Sequence, residues 1–290
     1  MEKYIDLHTH TLLSDGRYSP YQLIQMARSA KIGHLAITDH NCIFEDIEEL
    51  RNTFEDIDII SGSEISSKYY TANGEKKEVH IVGVFLEHTN QLKNFLKNNR
   101  DDGSTRINEM LLKLSECGVE LNCKSFDEFK KMYFPERDNI GRPQLAEIIV
   151  KKGFVKTVDE AMDIYIGDYG DKLAYVPSNY NYADMGSVID IIHKASGVAV
   201  LAHPFSYKLT YKDTANLISY FTSMGGDAIE VLYGWYDNDI RKQLKILARE
   251  YSLLESCGSD YHGNRDTDRL NHCFPISYLG ALWNRSLQYR

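Results

Sequence analysis

A chain of 290 residues with 43% hydrophobic and 26% charged side chains can bury a real core, which removes disorder as the default reading. Its formal net charge of −9 argues against broad binding to nucleic-acid backbones, which needs a basic footprint, but leaves room for divalent cations and a small phosphorylated substrate. Apolar runs such as 198–202 are far too short to cross a membrane, and a charged start at Met1–Asp6 predicts no signal peptide. Five cysteines, odd in number and without a C-x-x-C pair, fit reduced thiols in a cytoplasmic protein.

The first predicted element is a buried strand over Tyr4–Leu7. Ser19-Pro20 then opens a helix, with serine as N-cap and proline in the first turn. Leu23, Ile24, Ala27 and Ala30 form its apolar stripe, and Gly33 is expected to close it. Leu35–Thr38 reads as a strand, Phe44–Phe54 as an acidic helix and Ile57–Ser61 as a third strand. That rhythm predicts a parallel sheet with covering helices. After Glu64, Ile65–Tyr69 and Glu78–Phe85 read as a hairpin around Asn73-Gly74.

Residues 89–182 read as an inserted helical cap. Leu92, Leu96, Ile107, Leu111, Leu112 and Leu114 carry helical spacing. Gly141-Arg142-Pro143 begins a helix that stops at Gly153, and another spans Val158–Ile166. A loop rich in tyrosine follows, with Tyr165, Tyr169, Tyr175, Tyr180 and Tyr182 as candidates for stacking on a base. Strand-helix alternation then resumes: helix Val188–Ala195, strand Val198–Ala202, helix Ala215–Met224, strand Ala228–Tyr233, helix Ile240–Tyr251, strand Leu253–Cys257. The expected fold is α/β, a distorted (β/α)7 barrel, with residues 1–88 and 183–290 forming the barrel and 89–182 the cap.

Barrels of this kind carry chemistry at the C-terminal ends of their strands, and the ligand-type residues gather there. His8 and His10 follow the first strand; residues i and i+2 of an extended chain point the same way, so the pair aims two imidazoles at one place. Asp15 lies in the next loop, Asp39-His40 ends the second strand, Glu64 the third, and His203 follows Val198–Ala202. Asp260 and His262 repeat the i, i+2 pattern at the last strand, and hairpin pairing would set His80 opposite the Glu64 region. Six of the ten histidines, with Asp15, Glu64 and Asp260, thus fall where a site is expected. Mixed imidazole and carboxylate donors suit Zn²⁺, Mn²⁺ or Fe²⁺, and nine donors are too many for one tetrahedral ion. Two or three ions are therefore expected. Asp39 and Glu230 read as supporting residues, and His34, His88, His193 and His272 as packed or solvated.

The segments DLHTHTLLSDGRYSP (6–20), LAITDHN (35–41), SGSEIS (61–66), EVHIVGVF (78–85), GRPQLAEIIVKKGFV (141–155), VAVLAHPF (198–205), AIEVLYG (228–234) and GSDYHG (258–263) resemble the polymerase and histidinol phosphatase (PHP) family. The nearest likeness is to its small phosphoesterases of nucleoside mono- and bisphosphates and short oligonucleotides. That resemblance implies a first ion on His8, His10, Glu64 and Asp260, a second on Glu64, His80 and His203, and a third on Asp15, His40 and His262. It makes Glu64, His203 and Asp260 the catalytic core and Arg142 the phosphate binder, with a metal-activated hydroxide as nucleophile. The implied partner is a small phosphorylated substrate, a nucleotide or a short single strand, with no membrane; the oligomeric state stays open. Two positions depart from the family pattern: Gln144 replaces its usual histidine, and Asn41 stands where it often has aspartate. A histidinol-phosphate phosphatase and an amidohydrolase-like hydrolase are the alternatives, the latter class usually needing a lysine where Glu64 stands.

Overall fold

A computed structural model describes residues 4–100, 103–137, 140–167, 172–177, 180–265, 268–270 and 274–290. His272, Cys273 and Tyr169 lie outside them. Eight strands form one sheet: β1 (Tyr4–Asp6), β2 (Ile32–Ile37), β3 (Asp58–Tyr70), β4 (Lys76–Val84), β5 (Val198–Leu201), β6 (Ala228–Tyr233), β7 (Leu254–Gly258) and β8 (Phe274–Pro275). Their order is β7-β6-β5-β4-β3-β2-β1-β8. Beyond the strands, Asp260 N donates to His8 O at 2.9 Å and His10 N to Tyr261 O at 2.9 Å. These bonds join the exits of β1 and β7 at the rim, so the expected barrel is present and nearly closed.

The pairing departs from a plain parallel barrel. β3 is one strand of 13 residues, where the sequence suggested two. Its first half pairs parallel with β2 and its second half antiparallel with β4, which is also antiparallel to β5. Gly62 lies within β3 at a close approach: a Cβ there would meet Gly83 O at 2.7 Å. Gly33 lies inside β2 rather than ending the first helix. That helix, α1 (Pro20–Ser29), stops through Lys31, whose φ is 63°. Ser19 and Gln22 form the reciprocal cap at its start.

Helices α2 (Ile47–Thr53) and α3 (Asn90–Asn98) follow β2 and β4. The inserted stretch contains α4 (Ser104–Glu116), α5 (Phe126–Tyr133), α6 (Arg142–Lys151) and α7 (Val158–Ala161), which continues into a π-type turn over Met162–Ile166. It has its own core, including Ile107, Leu114, Phe129, Leu145, Ile149 and Ile166. Leu92 and Leu96 of α3 pack instead with barrel residues such as Ile65, Ile81 and Ile192. The later barrel helices are α8 (Met185–Lys194), α9 (Tyr211–Ser223), α10 (Asn238–Glu250) and α11 (Ser277–Ser286). Among the described residues, no helix is long and apolar enough to cross a membrane.

Candidate metal centre

All nine ligand-type residues converge at the rim where strands β1 to β7 meet. The local reasons differ. His8 and His10 leave β1 in extended backbone, which turns both rings inward. The ring of His8 reaches the barrel axis because Gly258 leaves room; a Cβ on that glycine would lie 2.3 Å from His8 Cβ. Glu64 sits within β3 and is completely buried, beside His40 through a short bridge at the end of β2. His80 lies on β4 in register with Ser66, two residues from Glu64, as the hairpin reading required.

Glu64 is the centre of the cluster. Its Oε1 lies 2.9 Å from His80 Nδ1 and 2.9 Å from His203 Nε2. Its Oε2 lies 3.0 Å from His40 Nδ1, 3.2 Å from His10 Nε2 and 3.3 Å from His8 Nε2. The two oxygens of one carboxylate therefore face two sets of imidazoles. Asp260 Oδ1 lies 3.1 Å from His10 Nε2 and 3.4 Å from His8 Nε2. Asp15 Oδ1 lies 3.1 Å from His262 Nε2 and 3.7 Å from His40 Nε2.

These groups fit divalent metal ions on two grounds. Their donor atoms fall into three overlapping sets, each within 4.8 Å: His8, His10, Glu64, Asp260; His40, Glu64, His80; and His10, Asp15, His40, His262. Asp15 Oδ1, Glu64 Oε2, Asp260 Oδ1, His80 Nδ1 and His203 Nδ1 are moreover buried without a hydrogen bond of their own. Orphaned polar atoms are costly unless something else satisfies them.

The protonation balance points the same way. Burial pushes the Glu64 carboxyl up, but His40, His8 and His80 outweigh it and hold the group well below its ordinary range. Burial lowers His8, while Glu64, Glu230 and Asp260 raise it well above an ordinary histidine. Burial likewise lowers His262, which Asp15 and Asp260 lift to about 10. Each of these carboxylates and imidazoles favours the charged form of its neighbour, and a divalent ion held there would supply the positive charge in place of imidazolium protons.

Supporting residues lock the donors in place. Glu230 Oε1 lies 2.8 Å from His8 Nδ1, and its Oε2 accepts His203 N at 2.6 Å. Asp39 is no donor to the cluster; its carboxylate accepts Thr11 N at 2.7 Å and the Ser14 hydroxyl at 2.6 Å, which fixes the turn leading to Asp15. Tyr233 donates to Asp260 Oδ2 at 2.9 Å. Left-handed backbone occurs at Asn41 (φ 47°), His203 (φ 30°) and Asp260 (φ 54°), each in or beside the cluster. Such strain gathers at functional sites and persists where surroundings over-determine it. Asparagine tolerates this region well, and Asn41 also accepts from Ser66 N at 3.1 Å.

The histidines expected to be bland lie elsewhere: His34 beside Asp58, His88 beside Ser61 and His193 beside Asp227. Arg142 begins α6, two residues before Gln144, whose side chain donates to Asp15 O at 3.2 Å. Sequence reasoning missed Arg137, which lies before α6 and donates to Ser14 O at 3.4 Å and to Gly16 O.

A near-closed α/β barrel with this donor set at its rim belongs to the PHP domain family, whose pattern matches residues 6–224. Among individual proteins, the chain is 32% identical to a 5'-3' exoribonuclease of Haemophilus influenzae, over 90% of this chain and 91% of that one. It is 29% identical to a 3',5'-nucleoside bisphosphate phosphatase of Chromobacterium violaceum, over 99% and 97%. A solved structure described as an amidohydrolase from Chromobacterium violaceum, with bound sulfate and no metal, superimposes with a TM-score of 0.79 at 28% identity, covering 99% of this chain and 96% of that one.

Proposed function

We propose that this chain is a metal-dependent phosphoesterase acting on nucleotides or short oligonucleotides. The observation that carries the reading is Glu64, with one oxygen facing His80 and His203 and the other facing His8, His10 and His40. That arrangement supports a bridge between two ions: one on His8, His10, Glu64 and Asp260, the other on Glu64, His80 and His203. Asp15, His40 and His262 would hold a third. Manganese, iron and zinc all match the donors. Ions held there would polarise the phosphate and activate water for attack. The chain's own task is to hold those donors rigid, through Glu230, Asp39 and Tyr233, and to hold the substrate.

Arg142 is our candidate for the phosphate contact. A guanidinium offers a fork of donors matched to phosphate oxygens, and the first turn of α6 adds the favourable end of a helix dipole. The link from α6 to the Asp15 turn through Gln144 supports a position near the cluster. With ~1.5–3 kcal/mol for a charge-assisted hydrogen bond, Arg142→Ala is expected to lower kcat/KM roughly 10- to 150-fold on every phosphate substrate.

A cleft of about 720 Å³ supports a substrate larger than one phosphate. It is lined by chain that continues from the cluster, Leu12-Leu13 after His10 and Asn41–Ile43 after His40, by Lys97 of α3 and Arg100 just beyond it, and by the aromatic pair Tyr133-Phe134. Cations beside aromatic rings suit a single-stranded nucleotide chain. The tyrosine-rich loop is less suited: Tyr165 packs on the core of the inserted helices, and Tyr180 packs on Tyr182 with its hydroxyl on Asn98 O. The names of the exoribonuclease and bisphosphatase relatives agree with such a substrate, and the free cysteines Cys42, Cys117, Cys123 and Cys257 suit the cytoplasm. The test is hydrolysis of an aryl phosphate, a nucleoside monophosphate, a 3',5'-bisphosphate and a short RNA by metal-reconstituted protein. Lys97→Glu is expected to raise KM several-fold for the RNA and to leave the aryl phosphate unchanged. No metal-dependent turnover of any of the four would overturn the reading.

A further inference from the structure

The inserted helices reach the metal centre through main-chain carbonyls. The turn at 14–16 carries Asp15, and side chains from distant segments hold three successive carbonyls of that turn. Arg137 Nη2 donates to Ser14 O at 3.4 Å and to Gly16 O. Gln144 Nε2 donates to Asp15 O at 3.2 Å, and Asn264 Nδ2 donates to the same oxygen at 2.5 Å. Arg137 and Gln144 both belong to the inserted stretch. Gln144 is completely buried, and its Oε1 accepts Gly141 N at 2.8 Å, so one side chain ties the start of α6 to the turn. The turn is tight against the barrel: a Cβ on Gly16 would lie 2.5 Å from His10 O.

Asp15 depends on such support more than the other donors do. Glu64 and His80 lie within paired strands, and His8, His203 and Asp260 directly follow strands, so the sheet positions them. Asp15 lies in a turn between β1 and α1. Among the described residues, bonds within and onto that turn hold the backbone from which its carboxylate faces His262 and His40.

We propose that Arg137 and Gln144 are positioning residues for Asp15, and that docking of the inserted helices sets the affinity of the ion site made by Asp15, His40 and His262. The inference rests on reading the cluster as a metal centre. It ties the segment that contains Arg142 to completion of the site: when the helices dock, the carboxylate is aimed; when they lift, that ion is released first. The other two ion sites draw on strand-borne donors and do not need the clamp. It also assigns a task to Gln144, whose amide can accept from Gly141 while it donates to Asp15, two bonds that fix its rotamer.

The experiment is a titration of metal-depleted, full-length protein with Mn²⁺, with bound ions counted by elemental analysis at several buffered free-metal concentrations. Wild-type, Arg137→Ala, Arg137→Lys, Gln144→Ala, Asp15→Ala and the double variant Asp15→Ala with Arg137→Ala are compared, and circular dichroism checks each fold. Loss of a partner that orients a ligand typically weakens metal binding about 10- to 100-fold. The expected result is that weakening for one ion only in Arg137→Ala and Gln144→Ala, with partial recovery in Arg137→Lys. The double variant should lose no more than Asp15→Ala alone, because both changes act on one site. Folded Arg137→Ala and Gln144→Ala proteins that bind every ion as tightly as wild type would overturn the proposal and leave the metal centre standing. Should Arg137→Ala fail to fold, Gln144→Ala and Arg137→Lys decide the matter by the same count. A wild-type protein that binds no ion would overturn both readings.

Discussion

Glu64→Gln is expected to lower kcat/KM by about 10³-fold, more than loss of any single histidine of the cluster. The two oxygens of Glu64 face His80 and His203 on one side and His8, His10 and His40 on the other. An amide keeps the shape but removes the charge, and it replaces one acceptor oxygen with a donor nitrogen aimed at imidazoles. If Glu64 spans two ions, as proposed, Lewis-acid stabilisation worth several kcal/mol would be lost with it, and about 4 kcal/mol corresponds to roughly 10³ in rate. Replacing His80 or His203 removes one donor from one set and leaves the bridge. Steady-state kinetics of Glu64→Gln and His80→Ala at saturating metal make the comparison. Near-normal turnover by Glu64→Gln would remove the bridging assignment.

The second large effect is expected at Glu230, which touches no substrate in this account. Its two oxygens hold His8 Nδ1 at 2.8 Å and His203 N at 2.6 Å, so it aims ligands on both sides of Glu64. The second contact also fixes His203 at a φ of 30°, a conformation the chain would otherwise leave. Glu230→Ala is expected to weaken metal binding about 10- to 100-fold and to destabilise the barrel by about 3 kcal/mol, because partners of a buried charge are left unpaired. Glu230→Gln keeps one acceptor and should lose less on both counts. Metal titration and thermal melts of the two variants separate these effects. An Ala variant with wild-type affinity and stability would make Glu230 a bystander.

The convergence of the candidate site was largely legible in the sequence because its ligand-type residues stand at strand ends. His8 and His10 are spaced i, i+2 at a strand end, where extended backbone makes the pair converge; Asp260 and His262 share the spacing, although Asp260 takes a left-handed φ of 54°. His80 could be placed opposite the Glu64 region because antiparallel register follows from a hairpin, and Ser66 does face His80. What failed was the meaning of glycine. Gly33 was expected to end a helix, yet it lies inside β2. The split of β3 into two strands failed as well: Gly62 lies within it, close to Gly83, a contact between segments that no local pattern reveals.

Two helices and one strand were also missed. β8 spans two residues, too short to carry any alternation. α11 went unassigned although Leu279, Leu282 and Trp283 stand at helical spacing. α5 did carry a signal, since Ser125 caps it by accepting Glu128 N at 3.2 Å, in the S-x-x-E order that announces a helix start. Arg137 left no trace, because its partners are backbone carbonyls more than a hundred residues away, and carbonyls have no sequence. Gln144 looked like a departure from pattern, and its bond to Asp15 O emerges only when the inserted helices are seen against the barrel.

The central claim, a multi-ion centre spanned by Glu64, is tested most directly by the metal content of the full-length protein. Chain purified without chelators, then measured by elemental analysis before and after reconstitution, is expected to carry two or more manganese, iron or zinc ions. A well-folded chain with less than one ion, and no gain on reconstitution, would contradict the account.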